Sequence, residues 1–173
     1  MPNWVHHQLT VTGPEAERER FLAECFSQTE GETNFDFDRL IPQPEHIKRD
    51  LAKREQREVG FTDAKAKFPD WYEWRCKNWG DKWNACDTDV GREGEAIRLF
   101  FDTAWSVPIP IFEEVARRFP SLKIEGTYQD GMLNFAGNIL CQNGTVAFED
   151  RSEECDAAYE AMMAQYKKLA TEQ

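Results

Sequence analysis

The sequence predicts an α+β fold, an antiparallel sheet with helices on one face. Three observations predict it. Apolar and polar residues alternate strictly from Asn3 to Thr12 and from Ala96 to Ala104, which is the period of a half-buried strand. Each of these segments is followed by a helix-spaced apolar stripe. The last third then reads as a meander whose turns are Asp130-Gly131 and Asn143-Gly144, the dipeptides suited to two-residue hairpin loops because both positions need positive φ.

The first strand puts Val5, His7, Leu9 and Val11 on one side and Trp4, His6, Gln8 and Thr10 on the other. Gly13-Pro14 opens a helix, since proline tolerates the first helical position, and Glu15 and Glu17 suit its dipole. Phe21, Leu22, Cys25 and Phe26 form its stripe, and Gly31 ends it. Alternation from Asn34 to Leu40 predicts a second strand, stopped by Ile41-Pro42-Gln43-Pro44. Glu45 to Val59 reads as a polar surface helix.

The stretch from Asp70 to Ala85 carries four of the six tryptophans. Asp70 and Glu73 have capping-box spacing, and Gly80 can close the helix in the left-handed conformation. Trp71, Trp74, Arg75 and Asn78 share one helical face, with Trp79 to its side. Lys82 to Cys86 is expected extended, and Thr88 to Glu95, with Gly91-Arg92-Glu93-Gly94, is expected to be a loop. After the strand from Ala96 to Ala104, prolines lead into a helix with Ile111, Phe112, Val115 and Phe119 on one face. Past the meander, Ser152 can cap a final helix with Cys155, Tyr159, Met162, Tyr166 and Leu169 as its stripe. The order β-α-β, insertion, β-α-β-β-β-α fits a single domain over residues 1–173, ferredoxin-like, with an inserted, mostly helical and loop segment at residues 42–95.

Net charge is −11, unevenly spread: from Lys48 to Lys82 the balance is +3, leaving −14 elsewhere. An acidic chain is repelled by phosphate backbones, so duplex DNA binding is not expected and a basic protein partner is. The C-terminal run offers one acidic surface, with Glu149, Asp150, Glu153, Glu154, Asp156 and Glu160 against Arg151. Five cysteines without a C-x-x-C pattern argue against a disulfide framework or zinc ribbon. With neither a signal-peptide pattern nor a membrane-length apolar run, the chain is expected to be soluble and cytoplasmic.

Chemistry-bearing motifs are sparse. His6 and His7 are adjacent on a strand and point to opposite faces, so they do not share a metal; His7, in an apolar row, reads as a hydrogen-bonded core histidine. No G-x-S-x-G occurs, and Cys76, though flanked by Arg75 and Lys77, has no assignable base. Gly91-Arg92-Glu93-Gly94 resembles a GXXG clamp, but its acidic flanks are wrong for RNA. No cofactor, metal or catalytic residue is therefore assigned. The candidate ligand- or partner-binding residues are Trp71, Trp74, Arg75, Asn78, Lys82, Asn84 and Asp102, where rings, cations and amides can gather.

Several motifs occur in a fixed order: Met1-Pro2-Asn3-Trp4, Leu40-Ile41-Pro42-Gln43-Pro44, Trp74-Arg75-x-x-Asn78-Trp79-Gly80-x-Lys82-Trp83-Asn84-Ala85, Phe101-Asp102-Thr103-Ala104-Trp105, Phe119-Pro120 and Gly131-x-x-x-Phe135-x-Gly137. Together they resemble the YubB-like family of phage and plasmid proteins, over most of the chain up to about Gly144. The resemblance implies a ferredoxin-like element carried on a mobile element, and it brings no catalytic residue with it. The expected function is that of an accessory protein that binds a host or defence protein. The alternatives are a site for a small anionic, nucleotide-like ligand at the tryptophan-rich segment, or a structural or regulatory homo-oligomer.

Overall fold

Alternation in β1 (Trp4–Thr12) buries Val5, His7, Leu9 and Val11 and leaves His6 and Gln8 in solvent. The structure, a computed structural model, describes residues 2–29, 31–49, 70–155 and 157. β1 lies inside a six-stranded antiparallel sheet, between β5 (Ala96–Ala104) and β6 (Lys123–Asp130). Outside β5 comes β4 (Cys86–Glu93); outside β6 come β7 (Ala136–Gln142) and β8 (Thr145–Asp150).

β5 and β6 each run antiparallel to β1, so they are parallel to each other and need a crossover. Helix α4 (Ile109–Arg118) provides it, burying Ile111, Phe112 and Val115 as its spacing predicts. Helix α1 (Glu15–Cys25) follows β1 on the same side of the sheet, with Phe21 and Cys25 in the core. The sequence β1-α1-β4-β5-α4-β6 with spatial order β4-β5-β1-β6 is the split βαβ arrangement of a ferredoxin-like domain. Residues 26–85 interrupt it between α1 and β4.

Three expectations are corrected here. The segment from Thr88 to Glu95 is not a loop. It is most of β4 and the turn into β5, with Gly94 at φ +60°. Its strand character is hidden because it is a sheet edge: Val90 alone packs on the core, while Asp87, Asp89 and Arg92 carry the charge that edges commonly bear.

The region from Asn34 to Leu40 is not the second strand of the domain. Helix α1 ends at Cys25, and β2 (Phe26–Thr29) pairs with β3 (Glu32–Phe35) in a separate hairpin whose turn holds Gly31 at φ +88°. The chain then makes a single helical turn, α2 (Phe37–Leu40), because the Asp36 carboxylate accepts the amide of Asp38 and starts a helix where alternation predicts a strand. Phe35, Phe37 and Leu40 are buried in either geometry, which is why the pattern misleads.

Asp130-Gly131 is not a two-residue turn. Asp130 pairs with Val5 inside the ladder and its carboxylate accepts the backbone and side-chain amides of Asn134, at 3.0 and 2.6 Å, so the loop runs on to Phe135. Asn143 and Gly144, at φ +54° and +77°, do form the expected two-residue turn.

Residues 45–49 begin the expected polar helix, with Ile47 buried; its continuation lies outside the described residues. Residues 152–155 are helical, and Asp150 accepts both the amide and the hydroxyl of Ser152. Cys155 is buried, while Tyr159, Met162, Tyr166 and Leu169 lie outside the described residues.

Candidate functional site

The tryptophan-rich helix, α3 (Asp70–Asn78), stops at Gly80, which has φ +79°. The side chain of Asp70, and with it the expected capping box, lies outside the described residues. A Cβ at Gly80 would come within 3.0 Å of the Pro110 ring, so only glycine fits there. Trp79 is 1% exposed, edge-on to Phe37 and Trp74, and its indole N–H donates to the Ile41 carbonyl at 2.9 Å.

The Arg75 guanidinium lies 4.8 Å from the Trp79 ring centre and 5.3 Å from that of Trp71. Its Nε donates to Gln43 Oε1 at 2.8 Å and its Nη1 to the Lys82 carbonyl at 3.3 Å. Gln43 donates its amide to Asp38, which also takes Lys48 Nζ at 2.6 Å. Burial opposes the charge on Asp38, but Lys48 and Gln43 together hold its carboxyl below the usual range. Asn84 accepts the amide of Phe37 and donates to Asp36, each at 2.8 Å. Arg75, Gln43 and Asn84 thus tie the Leu-Ile-Pro-Gln-Pro run, α2 and α3 into one block.

Trp74 and Asn78 line an open groove with His46, Ile47, Glu73 and Lys77, in which the Asn78 amide is turned back onto the Trp74 carbonyl at 2.8 Å. Trp71 is half-buried, and its indole nitrogen has no hydrogen-bond partner among the described residues.

Asp102 sits elsewhere, on the sheet face opposite α1 and α4, and the Lys82 side chain reaches toward that face from the bend after α3. Lys82 Nζ lies 4.2 Å over the Trp83 ring, and Trp83 leans on Trp4 at 5.9 Å. Asp102 faces His6 across the β1–β5 register and accepts from its Nδ1 at 2.8 Å. The seven sequence-predicted residues are therefore not one site. Trp71, Trp74, Arg75 and Asn78 belong to α3, Asn84 pins the inserted block, Lys82 lies in the bend between α3 and β4, and Asp102 belongs to the sheet. Sequence reasoning missed His6, because its pairing depends on a register between strands far apart in the chain.

On the other face, His7 is buried against the Phe101 ring, 4.5 Å away and nearly parallel. Thr103 spends its hydroxyl proton on the Ser106 carbonyl at 2.7 Å, so the His7 Nε2–H must donate to Thr103 Oγ1, at 2.9 Å. Burial, and secondarily His6, drives the His7 pKa down to about 3, so the ring is neutral. This is the hydrogen-bonded core histidine that the alternation predicts.

Burial raises the thiol pKa of both Cys76 and Cys86, so neither is activated despite the cations beside Cys76. Among the described residues there is no cluster of three or more potential metal ligands, and no helix is long and apolar enough to cross a membrane.

Residues 78–168 match the model described as the ferredoxin-like domain in Api92-like protein. The chain belongs to this family. In fold it is similar to the crystal structure of protein api92 from Yersinia pseudotuberculosis, with a TM-score of 0.52 and 12% identity over 83% of this chain and 95% of that one. No curated protein matches the sequence. The matched Api92-like stretch holds β4, β5, α4 and the meander, whereas β1, α1 and most of α3 precede it. The sheet face opposite α1 and α4 therefore joins residues from both sides of that boundary, with His6 before it and Asp102 within it.

Proposed function

We propose that the chain is a binding protein, an accessory protein of a phage or plasmid in the manner of the YubB-like proteins. It would act in the bacterial cytoplasm by holding a host or defence protein with a basic surface. One observation carries this reading. On the sheet face opposite α1 and α4, the described strand residues Asp89, Glu93, Asp102, Glu125 and Glu149 outnumber Arg98 and Lys123 by strand register, with Lys82 and Arg151 at its margins. Arg98 is itself paired with Glu93, and Lys123 with Glu125. A flat, polar, acidic face suits steered association with a cationic protein surface.

A nucleotide-like ligand at the tryptophan-rich segment is less well supported, because Arg75 and Asn84 hydrogen-bond the fold itself. A homo-oligomer has to bring two chains of charge −11 together.

The test is capture from bacterial lysate on the immobilised chain, washed at about 50 mM and about 500 mM salt, where screening shortens electrostatic reach several-fold. The expected result is a basic protein retained at low salt and released at high salt, with no shift of duplex DNA at about 150 mM salt. Capture of nucleic acid, or of nothing, would overturn the reading.

A further inference from the structure

The Phe101-Asp102-Thr103-Ala104-Trp105 run ends on a residue that the core does not use. Trp105 is 56% exposed, and its backbone sits at φ +76°, a conformation that bulky L residues rarely adopt. An exposed ring on a strained backbone contributes little to folding, yet the turn is locked from beneath. The Trp105 amide donates to the Asn3 carbonyl at 2.8 Å, and Thr103 and its donor His7 clamp Ser106. The Ser106 hydroxyl donates to the Gly80 carbonyl at 2.6 Å, and the buried Asp81 carboxylate accepts the Trp83 amide at 2.8 Å and lies close enough to the Ala104 amide for it to favour the charged form. Three buried polar side chains, His7, Thr103 and Asp81, thus converge under one exposed indole.

The neighbourhood is apolar in the same way. Ala104 pairs with Trp4, whose carbonyl takes the Gly131 amide on its other side, so the turns after β5 and β6 flank the start of β1. Two strand spacings put their backbones about 10 Å apart. There Met132 is 69% exposed beside Leu133 at φ +60°, and Ile109, 45% exposed, begins α4. Three of the four exposed large hydrophobics among the described residues therefore gather at one end of the sheet.

We propose that this end is the anchor of a protein interface, with Trp105 inserted into an apolar pocket whose rim on the partner is basic. The proposal rests on the binding function above and names its anchor. A rigidly presented tryptophan is the residue type and posture of an interface hot spot. Charge selects the partner. Asp87 and Asp102 stand at this end of β4 and β5 with Lys82 near them over Trp83, and at −11 the chain as a whole repels a second copy, a nucleic acid and an anionic membrane alike.

The experiment selects displayed random dodecapeptides on the immobilised full chain and measures the enriched peptides against wild type, Trp105→Gly and Met132→Ser. The expected peptides combine Lys or Arg with a large apolar side chain. They should lose at least about tenfold in affinity for Trp105→Gly and less for Met132→Ser. The melting temperature of Trp105→Gly should hold or rise, since glycine accepts positive φ without strain. The proposal is overturned by peptides that bind Trp105→Gly within about twofold of wild type, by no enrichment on wild type, or by a clear fall in melting temperature. A wild-type dimer in sedimentation that Trp105→Gly dissolves would overturn it in favour of self-association. A lysate protein held equally by wild type and Trp105→Gly would remove the anchor and leave the binding function standing, whereas no captured protein would remove both.

Discussion

Trp79 and Trp105 are neighbours in space with opposite fates. The hydroxyl of Ser106 reaches the carbonyl of Gly80, and Gly80 itself is pressed against Pro108 and Pro110, so the end of α3 and the turn after β5 form one junction. On one side the indole is fully enclosed by Phe37, Trp74 and the Arg75 guanidinium. On the other the indole stands in solvent. Both follow distinctive sequence blocks and both are preceded or followed by positive φ, at Gly80 and at Trp105 itself. The difference lies in who bears the turn. Beside Trp79 a glycine bears it, and the ring is free to enter the core. At Trp105 the tryptophan bears it, and the ring is carried outward.

The sharpest way to break this contrast is Trp79→Ala. It should lower unfolding free energy by about 3–5 kcal/mol, the usual range for emptying an aromatic site, and urea denaturation followed by circular dichroism measures it. A loss near that expected for a surface residue would mean that the inserted block is not sealed by Trp79.

Arg75→Ala comes next, at about 1–3 kcal/mol, from two ring contacts, the hydrogen bonds to Gln43 and Lys82, and a stranded Gln43. Intact stability with lost partner capture would instead assign Arg75 to binding.

The smallest effect concerns the junction's acid. Burial pushes the Asp81 pKa up to about 6 although the amides of Trp83, Ala104 and Lys82 pull it down. Its folded value lies above the ordinary 3.8, so its contribution to stability is full below that value and is lost as pH rises through about 6. Asp81→Asn should therefore raise stability at about pH 7 by about 1–2 kcal/mol and change little at about pH 4. His7 has the opposite sign: its folded value of about 3 lies below 6.5, so its contribution is present above 6.5 and lost as pH falls toward 3. In the wild type the two slopes oppose each other between about pH 4 and 6, and in Asp81→Asn the His7 loss should stand alone. Superimposable pH profiles for the two proteins would show that Asp81 is not desolvated at the junction.

What the chain could announce by itself was whatever depends on neighbours close in sequence. The alternation of β1 and β5, the stripe of α4, the helix end at Gly80 and the Asn143-Gly144 turn are local patterns, and each recurs in the structure. A buried His7 also followed from its place in an apolar row. Tertiary structure decided the rest. A charged edge strand has a loop's composition, so only pairing with β5 makes Cys86–Glu93 the second strand of the domain. Asp130 is drawn into the ladder by Val5, which lengthens a turn that the dipeptide alone would keep short. His6 meets Asp102, and Trp105 and Met132 come to the same end of the sheet, through strand registers that join residues far apart in the chain. Periodicity tells which side of its own strand a residue takes; which residue it faces, and whether anything covers it, is set by long-range pairing that no local window contains.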